Sequence, residues 1–97
     1  MTTSWGLPFT TRPEIKGTFG VAASTHWLAT ASAQSVLERG GNAFDAAVAG
    51  GFVLQVVEPH LNGPGGDMTA VLATADAPSR PRVLMGQGPA PTGATIA

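Results

Sequence analysis

Cysteine is absent from this chain, which excludes disulfides, thiolate catalysis and cysteine-ligated zinc and fits either redox compartment. Charge is scarce as well: 11% of the 97 residues are Asp, Glu, Lys or Arg, and the formal net charge is −1. The five Lys and Arg residues are scattered, so there is no basic stripe for phosphates, and nucleic acid is not an expected partner. No apolar run reaches the about 20 residues that a bilayer span needs. The strongest, Ala43 to Val57, is interrupted by Asp45, Gln55 and the Gly50-Gly51 pair. It reads as a core helix, and no membrane partner is expected. Met1 to Lys16 lacks both the basic head and the apolar stretch of a signal peptide, which makes the cytoplasm the expected location.

What remains is an apolar, alanine-rich chain. Its hydrophobic content is 43%, but only 6% is aromatic, so burial per residue is small. A chain of this length forms one small domain at most, hiding roughly two-thirds of the surface that its unfolded form exposes. With so few charges to face water, it reads as one part of a larger body.

The order of elements reads as α+β. Residues 1 to 16, with Pro8 and Pro13, form an extended arm. Gly20 to Ser24 is a short apolar run with strand character. Ser24 or Thr25 then caps a helix over His26 to Arg39, with Ala29, Ala33, Val36 and Leu37 on one stripe. Gly40-Gly41 stops that helix, and Asn42 caps a second one, with Asp45 three residues in. So short a turn predicts an antiparallel helical hairpin. The second helix is apolar on every face and calls for cover all round; its central glycines imply close approach of a neighbour. Pro59 ends it. The turn Asn62-Gly63-Pro64-Gly65-Gly66-Asp67 follows, and Met68 to Thr74 and Arg82 to Met85 read as a β-hairpin.

Ala23-Ser24-Thr25-His26, the run from Gly40-Gly41-Asn42 to Ala49, Val56-Val57-Glu58-Pro59-His60, the glycine turn and Ala90-Pro91 occur in one order and spacing. Over about residues 17 to 95 this pattern resembles the N-terminal part of the large subunit of the γ-glutamyltransferase family. The resemblance implies a segment of an N-terminal-nucleophile hydrolase, a four-layer αββα sandwich made as a precursor that cleaves itself. Residues 17–97 then form a partial domain, incomplete at its C-terminus. The implied partners are the rest of the large subunit, the small subunit of the same precursor and a small-molecule amide such as glutathione. The implied chemistry transfers or hydrolyses γ-glutamyl amides, with one N-terminal threonine supplying both hydroxyl and amine base. No threonine here matches that nucleophile, so no catalytic residue is expected in this chain, and no cofactor.

One position departs from the family pattern. Family transpeptidases carry Gly-Arg-Glu-x-Ala-Pro after the second strand, and the arginine grips the donor's α-carboxylate. Here Gly86-Gln87-Gly88-Pro89-Ala90-Pro91 places Gln87 at the arginine's position. Gln87 is the expected substrate-binding residue, with an ordinary polar loop group as the other reading. A neutral amide there leaves three readings open: γ-glutamyl chemistry, a related amidohydrolase or acylase branch acting on other amides, or a non-catalytic interaction module. His26, His60, Glu58 and Asp67 are too few and too dispersed to specify a metal site. His26 reads as a packing and hydrogen-bonding residue, and Asp45 as a helix cap. The glycine turn lacks the Gly-Lys-Ser/Thr of a phosphate cradle and reads as a close-packing element.

Overall fold

Helix α1 (Trp27–Glu38) begins on an imidazole. The computed structural model, which describes residues 13–96, gives His26 an extended backbone (φ −134°, ψ 132°). The Leu28 N–H donates to His26 Nδ1 at 3.1 Å. His26 therefore serves the cap role expected of Ser24 or Thr25. Ser24 is engaged otherwise: its hydroxyl lies 2.7 Å from the His26 carbonyl oxygen and 2.7 Å from the Thr30 hydroxyl. The helix is one residue shorter at each end than the sequence pattern predicts. Its C-terminus closes as a Schellman motif, with Gly41 N–H donating to the Val36 carbonyl at 2.9 Å and Gly40 N–H to the Leu37 carbonyl at 3.1 Å. Gly40 has φ +93°, an angle that a side chain disfavours.

Helix α2 (Ala43–Val57) starts on a reciprocal cap. Asp45 N–H donates to Asn42 Oδ1 at 2.9 Å, and Asn42 N–H donates to Asp45 Oδ2 at 3.0 Å. The short link folds α2 back along α1. Small residues set their separation: Ala29, Ala33 and Ala46 are buried, and so is Gly50. A Cβ on Gly50 would stand 3.4 Å from the Ala29 carbonyl oxygen and 3.5 Å from Ala33 Cβ. Gly51 has open space around it, so only the first central glycine marks a close approach.

Two expectations change in this unit. Val21 to Ser24 carries no strand; a strand requires a hydrogen-bonded neighbour, and this segment instead lines a cavity beside α1 and α2. The all-round cover called for by the sequence of α2 is not supplied by the described residues. Phe44, Val48, Phe52 and Val56, one ridge at four-residue spacing, are 44%, 59%, 65% and 79% exposed.

The described chain divides into two compact units, the first ending at Val57 and the second beginning at Glu58. The second holds an antiparallel pair, β1 (Thr69–Leu72) and β2 (Arg82–Met85), with Thr69 opposite Met85 and Leu72 opposite Arg82. Two successive turns connect them, closed by Ala77 N–H to the Thr74 carbonyl and Arg80 N–H to the Ala77 carbonyl, both 3.1 Å. The pairing confirms the predicted hairpin, with a shorter first strand. Of the expected N-terminal arm, residues 1–12 lie outside the described residues, and Pro13 to Lys16 form no regular element. Among the described residues no helix is long and apolar enough to cross a membrane.

Candidate functional site

The open end of the β-hairpin brings together the two segments that the sequence singles out. One step beyond the Thr69–Met85 pair, Met68 and Gly86 exchange both backbone hydrogen bonds. Gly86 N–H donates to the Met68 carbonyl at 2.6 Å, and Met68 N–H donates to the Gly86 carbonyl at 3.1 Å. A Cβ on Gly86 would lie 2.7 Å from the Met68 carbonyl oxygen, so this pairing requires glycine. The next residues outward are Asp67, last of the glycine turn, and Gln87, the expected substrate-binding residue. Both are exposed. Each directly adjoins one member of the paired Met68 and Gly86 and lies outside the two strands.

The glycine turn is anchored at its other end. The Glu58 carbonyl accepts from Leu61 N–H at 3.0 Å, Asn62 N–H at 3.1 Å and Asn62 Nδ2 at 3.2 Å. Gly66 takes φ +109°, which turns the chain into the hairpin just before Asp67. Gly63, Gly65 and Gly88 have open space where a Cβ would stand. The turn is therefore held at Glu58 and at Met68, with its middle presented to solvent.

The other singled-out residues have structural partners. His26 Nδ1 is occupied by the Leu28 N–H, and its ring lies against Trp27 with centroids 5.9 Å apart and planes inclined by 23°. That is the packing and hydrogen-bonding role expected of it. Asp45 is the helix cap that the sequence predicts. Among the described residues, no three His, Asp or Glu side chains converge on a position that could hold a metal ion.

In the helical unit a cavity of about 390 Å³ lies between the helices and Val21 to Ser24. Alanines and glycines line most of it, with Ser24 and Thr30 as its hydroxyls, already bonded to each other. It offers no acid or base. What these residues offer chemically is hydrogen bonding and positioning. The pattern reading did not find the pairing of Met68 with Gly86, which follows from register once Thr69 faces Met85.

Comparison with known proteins gives concordant matches. The family model described as gamma-glutamyltranspeptidase matches residues 29–97. The glutathione hydrolase-like YwrD proenzyme of Bacillus subtilis is 51% identical over 51 residues, covering 53% of this chain and 10% of the relative. The oxamate amidohydrolase proenzyme of Klebsiella pneumoniae is 48% identical over 50 residues, covering 52% of this chain and 10% of the relative. The crystal structure of Helicobacter pylori gamma-glutamyltranspeptidase superposes with a TM-score of 0.76 at 43% identity, over 87% of this chain and 24% of that one. The chain thus spans about a tenth of the length of these curated relatives.

Proposed function

The chain belongs to the gamma-glutamyltranspeptidase family, and we propose from that membership that it is the front part of the large subunit of a self-processing amide hydrolase or transferase. In this reading residues 17–97 are part of one larger domain. The remaining layers of the sandwich come from the rest of the large subunit and from the small subunit of the same precursor. The nucleophile is the small subunit's N-terminal threonine, which none of the residues here matches. It attacks a γ-glutamyl amide such as glutathione, and the acyl group passes to water or to an amine.

The observation that carries this reading is the open end of the hairpin. A glycine turn pinned at Glu58 and Met68 leads there into β1, and Met68 pairs with Gly86; the resemblance puts the next residue, Gln87, at the position of the family's donor-binding arginine. The chain's part is to shape the acyl-binding edge and leave covalent chemistry to the other subunit.

Gln87 also favours a second reading, a branch acting on amides other than γ-glutamyl ones, in keeping with a relative named as an oxamate amidohydrolase. A neutral amide hydrogen bond contributes about 1 kcal/mol where a charge-assisted one contributes about 1.5–3 kcal/mol. That difference weakens donor binding by roughly tenfold. The test is kcat/KM of the processed enzyme with γ-glutamyl-p-nitroanilide and with an acyl-p-nitroanilide lacking the α-carboxylate, before and after Gln87→Arg. A gain confined to the γ-glutamyl substrate supports Gln87 as the donor-facing residue; equal effects on both substrates contradict it.

A further inference from the structure

We propose that Asn62 and Gly63 form a self-modification site, at which Asn62 deamidates through the backbone of Gly63 and so frees the glycine turn from its Glu58 anchor. The modification goes beyond the function proposed above and does not depend on which acyl group the enzyme accepts.

The reaction needs a backbone nitrogen that can reach the side-chain amide of the residue before it. Glycine suits that role, because it has no Cβ to obstruct the approach and its backbone rotates freely. The chain has two asparagines, and only Asn62 precedes a glycine. Gly63 is exposed, and open space surrounds the position where a Cβ would stand. Its N–H has no hydrogen-bond partner among the described residues, so no bond must break before it attacks. Asn42 differs on each count. Its Oδ1 accepts from Asp45 N–H, and the next residue, Ala43, opens α2, so capping and helix hold the angles that ring closure must change.

Water is the one co-reactant. The Gly63 nitrogen bonds to Asn62 Cγ and gives up its proton; the Cγ–Nδ2 bond breaks, and Nδ2 leaves with that proton as ammonia. Water then opens the cyclic imide. Opening at Cγ yields aspartate. Opening at the Asn62 carbonyl carbon yields isoaspartate, whose main chain runs through the former side chain and is one carbon longer. Either product removes a tie. Asn62 Nδ2 donates to the Glu58 carbonyl at 3.2 Å, whereas an ionised carboxylate only accepts. Two acceptors then face each other. In isoaspartate the added carbon also changes the path from Asn62 to Met68, which the pair with Gly86 holds.

The test incubates the full-length protein that carries this segment in mildly alkaline buffer and maps its peptides by tandem mass spectrometry. Aspartate and isoaspartate should accumulate at position 62 while Asn42 stays intact, and Gly63→Ala should slow the conversion at least about fivefold. Amide hydrogen exchange reads the anchor. The N–H groups of Leu61 and Asn62 share the Glu58 carbonyl with Nδ2. They should exchange at least about fivefold faster in Asn62→Asp, the size of one lost neutral hydrogen bond. An intact Asn62, equal conversion of Asn42, or a rate indifferent to Gly63→Ala would overturn the modification site. Unchanged exchange in Asn62→Asp would overturn the release of the turn.

Discussion

Asn42 and Asp45 complete each other's backbone: each side-chain oxygen accepts the other's N–H, at 2.9 and 3.0 Å. Two of the four orphan donors at the start of α2 are satisfied within one turn, and the Asp45 carboxylate sits at the positive end of the helix. The cap also fixes where α2 leaves the Gly40-Gly41 turn, and hence which of its faces meets α1.

Removing this cap should weaken the helical hairpin by about 0.5–2 kcal/mol. Asn42→Ala and Asp45→Ala are each expected to lower helical circular dichroism at 222 nm. Asn42→Gly should lower it by much less, since glycine at a cap costs only a few tenths of a kcal/mol. No loss in either Asn42→Ala or Asp45→Ala would show that the reciprocal bonds contribute nothing.

Gly50 and Gly51 should respond differently to substitution. Gly51→Ala meets open space and should stabilise the helix by about 1 kcal/mol through propensity alone. Gly50→Ala places its methyl at ordinary contact distance from Ala29 and Ala33 and is expected to be tolerated. Gly50→Leu must push the helices apart and should cost about 1–3 kcal/mol. Urea midpoints of the three variants provide the measurement, and identical behaviour of Gly50→Leu and Gly51→Leu would contradict the packing.

Gly86→Ala should open the hairpin where Gly88→Ala does not. A methyl at position 86 meets the Met68 carbonyl oxygen at 2.7 Å, so a backbone pair must break, whereas position 88 has room. In the processed enzyme, Gly86→Ala is expected to raise the donor KM by about tenfold through displacement of Gln87, the size of one lost hydrogen bond. Gly88→Ala should leave KM unchanged. Equal KM values for the two variants would separate Gln87 from the hairpin register.

The ridge Phe44, Val48, Phe52 and Val56 should make the isolated chain associate. Its members are 44–79% exposed, and no charged side chain interrupts it. Apolar ridges of this kind mark surfaces that another body covers. Broad elution in size-exclusion chromatography is expected, sharpened by the double change Val48→Glu and Phe52→Lys. A monodisperse monomer with a cooperative melt would contradict it.

Local chemistry made much of the fold legible. The glycines at 40 and 41, Asn42 with Asp45, and Pro59 mark helix ends through backbone angles and capping that depend on neighbours a few residues away. The strand expected over Gly20 to Ser24 was not found, because a strand is a relation between two segments and apolar character alone does not provide the second. His26 displaced Ser24 and Thr25 as the cap because Ser24 is bonded to Thr30, a pairing that propensity does not encode. At the candidate site the family pattern singled out Gln87 as an expectation, and the structure shows it exposed, directly after Gly86. The pairing of Met68 with Gly86, the residue just before Gln87, follows from register, which only the paired strands reveal.

The most direct measurement compares the purified 97-residue chain with the processed enzyme that contains it, using γ-glutamyl-p-nitroanilide. If this segment shapes the acyl-binding edge and the nucleophile belongs to the other subunit, the processed enzyme releases p-nitroaniline and the chain alone gives no rate above buffer. Turnover by the isolated chain would place a nucleophile among these residues and contradict that division of labour.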